Sequence, residues 1–410
     1  MSSNSFATLG LAAPLLCALE RAQFVQPTPI QAAAIPHLLA GRDLLGIAQT
    51  GTGKTAAFVL PMLQRLAGKA VQPQRFATRA LILAPTRELA LQIEASLQRL
   101  GGNKSRVVAI LGGVSRLVQV QRMRSGADIV VGTPGRICDL MGSGELKLNE
   151  VTCFVLDEAD RMLDLGFIRD IRRIAAALPV ERQSALFSAT MPAEVGRLAE
   201  TMLRDPVRVD VVSTAAVELP IEQHVHFVAA AGKRALLDRL LTDPALSRVI
   251  VFTRTKRTAN RVAESLDTGV FRVSALHGNK SQPARQKALE QFRSGRARVL
   301  VATDIAARGI DVAGISHVIN FDLPAQPEDY VHRIGRTARA GASGIAISFC
   351  DAPERGTLRA IERLTGTAIR VAGGSPAGDQ RQPTPVPPSA RRAPRRRHMT
   401  GSAAKLRTAA

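Results

Sequence analysis

Aromatic side chains make up only 3% of this 410-residue chain, with one tyrosine and no tryptophan. That scarcity argues against a module that stacks several nucleobases on aromatic platforms. A grip on nucleic acid must then fall mainly on the phosphate–sugar backbone, which carries little sequence information. Cysteine is scarce too. Cys17, Cys138, Cys153 and Cys350 lie too far apart for a C-x-x-C pair, so neither a zinc site nor a disulfide framework is expected. They read as reduced thiols in a cytoplasm. No apolar run reaches the ~18 residues that a membrane span needs. The segment Met1–Ser5 lacks the basic start of a secretory signal. Acidic residues are also few: 34 against 55 Lys and Arg, for a net charge of +21. The excess points to a polyanionic partner, nucleic acid first.

Apolar residues, by contrast, reach 46%, enough for proper cores in the two or three domains that the length suggests. Short apolar runs alternate with amphipathic stretches. Leu81–Leu83, Ile129–Val131, Phe154–Leu156 and Ala185–Phe187 form one series. Val249–Phe252, Val299–Val301, Val318–Phe321 and Gly344–Phe349 form a second. This β–α alternation predicts an α/β fold of two tandem parallel sheets, each flanked by helices. Between the series, Asp205–Pro220 has two prolines and no helical period. The expected division is a first domain over 1–208, a linker over 209–220 and a second domain over 221–372. From 373 to 410 the chain turns to Pro, Ala, Arg and Ser. Its last 36 residues, from Ser375, carry Arg381, Arg391, Arg392, Arg395, Arg396, Arg397, Lys405 and Arg407 against Asp379. Such a segment cannot offset its ordering entropy and is expected to be disordered. It reads as an RNA-tethering arm or a solubilising tail.

The first local chemistry is a phosphate loop. Asp43–Ala48 reads as a strand, Ala56–Leu66 as a helix, and Gln49-Thr50-Gly51-Thr52-Gly53-Lys54-Thr55 joins them. Glycines let backbone N–H groups face phosphate oxygens, and the helix N-terminus adds positive potential. Lys54 is placed to reach the β- and γ-phosphates of ATP, and Thr55 to bind Mg²⁺. Ala48 stands where the G-x-x-x-x-G-K-[ST] pattern has its first glycine. About a hundred residues on, the buried run Val151–Leu156 ends in Asp157-Glu158. Carboxylates at that end of a parallel strand sit where nucleotides bind. Asp157 suits Mg²⁺ held through water, and Glu158 suits polarising the attacking water.

Asp157-Glu158-Ala159-Asp160 resembles the signature of the DEAD-box ATP-dependent RNA helicases, and the family's other motifs follow in order. Phe24 and Pro27-Thr28-Pro29-Ile30-Gln31 resemble the Q motif, which implies that Phe24 stacks on adenine and Gln31 reads its edge. Pro85-Thr86-Arg87-Glu88-Leu89, Gly112-Gly113 and Thr133-Pro134-Gly135-Arg136 are similar to the RNA-backbone motifs of the first domain. Ser188-Ala189-Thr190 resembles the coupling segment, with Asp160 as its partner. In the second domain, Arg254, Gly278, Gln282–Arg285 and Thr303 fall in elements that resemble RNA contacts, Arg285 among them. Gly309 and Asp311 fall in a motif that also touches the ATP ribose. Tyr330–Arg339 resembles the last motif, with His332 among its catalytic residues and Arg336 and Arg339 as arginine fingers. His277-Gly278-Asn279-Lys280-Ser281-Gln282, the short frame and the basic tail resemble the bacterial RhlE-type members.

The resemblance covers about residues 6–370. It implies RecA-like domains, ATP and Mg²⁺ as cofactors, and RNA as the partner, unwound locally when two incomplete half-sites close on each other. It also implies a cytoplasmic monomer with no membrane partner and with ribosomal or RNA-decay proteins as candidate partners. Two other readings stay open: an ATP-dependent RNA clamp or annealing scaffold with little unwinding, and a DNA translocase, against which the motif set argues. Three positions depart from the family pattern. Gln23 stands where glycine is usual, Asn279 where aspartate is common, and Ala338 where glycine separates the two fingers. A methyl at Ala338 would crowd a turn that needs positive φ.

Overall fold

The structure, a computed structural model, describes residues 5–49, 51–68, 71–102, 105–211, 221–267, 271–307, 312, 314–338 and 343–375. In the first half, α1 (Ala13–Arg21) and α2 (Pro29–Leu39) precede β1 (Leu44–Ile47). Then follow α3 (Lys54–Ala67), β2 (Thr78–Leu83), α4 (Arg87–Gly101), β3 (Val107–Ile110), α5 (Arg116–Met123), β4 (Ala127–Gly132), α6 (Pro134–Gly142) and β5 (Cys153–Leu156). The half ends with α7 (Ala159–Asp164), α8 (Ile168–Ala176), β6 (Gln183–Ser188), α9 (Ala193–Met202) and β7 (Val207–Asp210). The second half runs β8 (Ile221–Phe227), α10 (Lys233–Leu241), β9 (Val249–Thr253), α11 (Lys256–Leu266), β10 (Val273–Leu276), α12 (Gln282–Arg293) and β11 (Val299–Thr303). It closes with α13 (Asp304–Ala307), β12 (His317–Asn320), α14 (Pro327–Ile334), β13 (Gly344–Cys350), α15 (Arg355–Thr365) and β14 (Arg370–Gly373).

Each half holds one seven-stranded sheet, ordered β3-β4-β2-β5-β6-β1-β7 and β10-β11-β9-β12-β13-β8-β14. Every strand pairing in both is parallel. Helices cover both faces, so the central strands are apolar at consecutive positions rather than alternating. Val155 and Phe187 pack into one core with Phe58 of α3. Their neighbours Phe154 and Leu186 pack into the other with Ile171 of α8. β1, β5 and β6 thus lie near one another in the first sheet, and their carboxyl ends open onto one edge. Among the described residues, no helix is long and apolar enough to cross a membrane.

Two expected boundaries are corrected. Val209 and Asp210 are not linker: they belong to β7, which pairs with β1 as the sheet's edge strand. The Val-Arg-Val-Asp alternation of β7 leaves Val209 as its one buried residue, which is why it carries little hydrophobic signal. Most of the expected linker, residues 212–220, lies outside the described residues. At the other end, β14 includes Gly373, one residue beyond the expected limit of 372. The tail over 376–410 also lies outside the described residues.

Candidate nucleotide and nucleic-acid site

The glycine loop leaves the carboxyl end of β1. Ala48 continues the strand, donating its N–H to Ser188 O at 3.0 Å. It is fully buried and does not have positive φ, so a methyl is tolerated where the motif has glycine. Gly51 (φ 91°) and Gly53 (φ 94°) need the left-handed region. Gly53 is also pinned from outside: a Cβ there would lie 2.4 Å from Gln31 Nε2. Gln31 is buried, with its Nε2 donating to Gly53 O at 3.0 Å and its Oε1 accepting from Thr28 N at 3.0 Å. Its amide is therefore engaged at both ends within the protein. Phe24 is half-buried, edge-on to Phe6 at 6.3 Å, with the Arg99 guanidinium 5.8 Å from its ring. Thr52 Oγ1 donates to Gln49 O at 2.8 Å. Thr50 lies outside the described residues.

Lys54 opens α3 and is buried, with Thr55 half-buried beside it. Among the described residues its Nζ has no hydrogen-bond partner, nor does Asp157 Oδ1 at the end of β5. Such orphaned polar atoms are costly in an ordinary interior. A buried cation and carboxylate oxygen at one strand edge fit a phosphate and a metal ion. Burial drives the Asp157 carboxyl up to about 7 against the pull of Lys54, with Glu158 adding to the rise. Glu158 caps α7 in the left-handed region at φ 55°, a conformation that non-glycine residues hold mostly at functional positions. Burial pushes its carboxyl up as well, but Arg161, Lys54 and Arg336 outweigh this and hold it at about 2. Arg161 Nη1 donates to Glu158 Oε2 at 2.5 Å.

Asp160 faces the other way. Its Oδ2 accepts from Ala189 N at 3.1 Å, Thr190 N at 2.8 Å and Thr190 Oγ1 at 2.9 Å. Ser188 Oγ accepts from Asp160 N and donates to Thr190 O. The acid segment and Ser188-Ala189-Thr190 are thereby one hydrogen-bonded unit. The second half reaches this unit through α14. His332 is held at about 4; burial is the main cause, with Asp160 opposing it and Arg161 and Arg336 adding to it. It is neutral at pH 7. Arg336 is buried, its Nε donating to His332 O at 3.2 Å, and its charge acts on Glu158 across the two halves. Arg339, Gly309 and Asp311 lie outside the described residues.

A second set of residues gathers at helix N-termini. Thr86 caps α4, accepting from Leu89 N at 3.3 Å beside the buried Pro85. Thr133 precedes α6, with Pro134 in its first turn. Arg87 lies along Gly112 and Gly113, where a Cβ on Gly113 would stand 2.2 Å from its Nη1. Arg136 Nη1 donates to Val114 O at 3.2 Å. Arg87 Nη1 also donates to Gln282 Oε1 at 3.3 Å, in the second half. Arg285, which the resemblance puts against RNA, is buried beside Glu88 Oε2 at 2.9 Å, an ion pair between the halves. Arg254 and Thr303 line a cavity of about 710 Å³ together with Asp160, Thr190 and His332. Gly278 is exposed, with open space around its Cα. Sequence reasoning gave no role of their own to Arg161 or Glu88. The i,i+3 spacing of Glu158 and Arg161 on one helix was the available signal for the first; nothing local signalled the second.

A parallel sheet that presents a glycine-loop lysine and an acid pair, and a second that delivers an arginine to that acid pair, define a two-domain P-loop nucleotide hydrolase. Residues 28–198 match the DEAD/DEAH box helicase family model, and residues 232–341 match the helicase conserved C-terminal domain. The chain belongs to the DEAD-box ATP-dependent RNA helicases. It is 44% identical over 363 residues to the DEAD-box ATP-dependent RNA helicase CshA of Geobacillus kaustophilus, covering 88% of this chain and 77% of that one. Among solved structures it is similar to S. cerevisiae Dbp5 bound to RNA and ADP BeF3. That match has a TM-score of 0.82 at 35% identity, over 90% of this chain and 96% of that one. A variant of the same Dbp5 bound to a Gle1 variant and IP6 matches at 0.72 and 35%, over 91% and 95%. These relatives do not bear the RhlE name, so membership is established for the family and not for that subgroup.

Proposed function

We propose that this protein hydrolyses ATP at the edge of the first sheet and, in the same closed state, binds RNA across both halves and unwinds it locally. The observation that carries this reading is that Arg336, buried in the second half, lies near enough to Glu158, in the first, for its charge to lower that carboxyl's pKa. Lys54 Nζ and Asp157 Oδ1 are buried without hydrogen-bond partners among the described residues. The likeness to Dbp5 bound to RNA and ADP BeF3 supports RNA and a nucleotide bound in one state.

Lys54 faces the β- and γ-phosphates, and the loop N–H groups cradle them. Thr55 and Asp157 are the residues that would hold Mg²⁺, which when bound neutralises charge on the phosphate oxygens. Glu158, ionised at any working pH, orients the attacking water and takes its proton. Arg336 stabilises charge that develops on the transferred phosphoryl group, a contribution of about 10³–10⁵ in related enzymes. Because Arg336 and Glu158 sit on different halves, hydrolysis requires closure. Arg87, Arg136 and the N-termini of α4 and α6 bind RNA phosphates, and the Asp160–Thr190 unit links them to the ATP site. The test is steady-state ATP hydrolysis with and without RNA. Arg336→Ala should lose RNA stimulation while the chain still binds ATP. A mutant stimulated as strongly as the wild type would overturn the reading.

A further inference from the structure

Arg254 reaches the cavity between the halves from the end of β9, with its side chain 49% exposed. One nitrogen of its guanidinium is held by protein: Nη2 donates to Glu354 Oε1 at 2.7 Å and to Leu323 O at 3.2 Å. Its backbone N–H donates to Asp322 Oδ2 at 3.0 Å. Nε and Nη1 make no bond to a described residue.

The group holding it is deeply buried. Glu354 is 4% exposed and accepts from four donors. Besides Arg254 these are Lys233 Nζ at 2.7 Å, Leu323 N at 3.0 Å and Asp351 N at 3.3 Å. Lys233 is 2% exposed and also meets Asp322 at 3.3 Å and Asp351 at 3.6 Å. Burial works against the Lys233 ammonium, but the hydrogen bond to Glu354 and the charges of Glu354, Asp322 and Asp351 together outweigh it and leave the pKa raised. Lys233 shares its charge among these three carboxylates, and Glu354 also extends an arm to a half-exposed arginine. Its geometric effect is specific. A planar guanidinium fixed at Nη2 holds the N–H groups of Nε and Nη1 in a set orientation, in which they can donate to phosphate oxygens.

We propose that Glu354 is a positioning residue for RNA binding, holding Nη2 of Arg254 so that its remaining N–H groups meet an RNA phosphate between the halves. This rests on the reading of Arg254 as an RNA contact. Glu354 is one hundred residues away in sequence, at the residue that caps α15.

The experiment titrates RNA into the ATP hydrolysis assay of the full chain for wild type, Glu354→Gln, Arg254→Ala and the double variant, with a thermal melt of each. Glu354→Gln should raise the RNA KM about tenfold, the scale of a lost hydrogen bond to a charged group. The effect should fall on KM rather than kcat. In the Arg254→Ala background the same change should add nothing, since it acts through the arginine. Glu354→Asp, with a shorter arm but the charge kept, should recover part of the loss. An unchanged RNA KM, or a loss that adds in full to that of Arg254→Ala, would overturn the proposal. Should Glu354→Gln fail to fold, Arg254→Lys carries the test at a half-exposed position. It keeps the charge but not the planar donor set that Glu354 holds, and an RNA KM equal to wild type would overturn the proposal. Wild-type hydrolysis indifferent to RNA would instead overturn the helicase reading itself, so the two failures are distinct.

Discussion

Five described residues other than glycine have positive φ, and two of them, Gln23 at φ 60° and Ala338 at φ 55°, stand where the family pattern has glycine. Left-handed backbone costs a residue with a Cβ about 1–2 kcal/mol. The Gln23 side chain is exposed, so nothing packs against it to compensate. Gln23→Gly should therefore raise the unfolding free energy by about 1 kcal/mol in urea denaturation, and an unchanged midpoint would show that the turn carries no strain. Ala338 differs, because its methyl is buried in the cluster with Tyr330, Ile334 and Ala346. Removing it forfeits about 0.8 kcal/mol of burial, which roughly cancels the relief. Ala338→Gly should leave stability nearly constant but relax the turn next to Arg336. The kcat for ATP hydrolysis should rise, by about fivefold if 1 kcal/mol of strain reaches the transition state. A kcat equal to or below wild type would mean that alanine fits there at no cost to the finger. Glu158, at φ 55°, is another of the five, and its strain sits at the proposed base itself.

At the scale of elements, the contact between α2 and the loop before α3 is steric as much as polar. Gly53→Ala meets two obstacles at once, the left-handed φ and the Gln31 amide 2.4 Å from the new methyl. ATP binding, followed with a fluorescent nucleotide, should fall below detection while the second half keeps its fold. Binding at wild-type strength would show that the loop and Gln31 move apart freely. The loop, the acid pair and the central strands were legible in the sequence because each is a local pattern: a glycine spacing, or a buried strand of consecutive apolar residues. What was not legible is long-range or weakly patterned. β7 alternates valine with charge on a sheet edge. The Glu88–Arg285 pair joins residues far apart in the chain only because the halves close. Glu354 looks like any acidic residue ahead of a helix, and its four donors arrive from separate segments of the second half. The contacts that bind the motifs into one machine are therefore the ones a single sequence hides.

For the whole molecule, charge sets the salt dependence of RNA binding. The segment 375–410 carries a third of the net +21 in its eight basic residues and Asp379. Each phosphate contact contributes about 0.7 to the slope of log K against log salt for a single strand. If about half these charges engage together, removing 375–410 should flatten the slope by roughly 3 units, equally for RNAs of different sequence. A salt titration of the full and shortened chains measures this, and identical slopes would show that the segment does not touch RNA.

The order of the second sheet repeats that of the first, advanced by seven strands. Lys233 opens the helix after β8, preceded by Gly232, as Lys54 opens the helix after β1, preceded by Gly53. Asp322 follows β12 much as Asp157 follows β5. The two lysines hold matching places in a duplicated architecture, but their surroundings differ. Lys54 Nζ has no hydrogen-bond partner among the described residues, whereas Lys233 Nζ is enclosed by Asp322, Asp351 and Glu354. In the second copy, carboxylates of the chain itself act as permanent counter-ions where the first copy leaves room for a phosphate. The molecule should accordingly have a stoichiometry of one nucleotide per chain despite its two equivalent folds. Calorimetric titration with a non-hydrolysable ATP analogue should saturate at a single site, and a second equivalent bound with Lys54 intact would show that the internal counter-ions can be displaced.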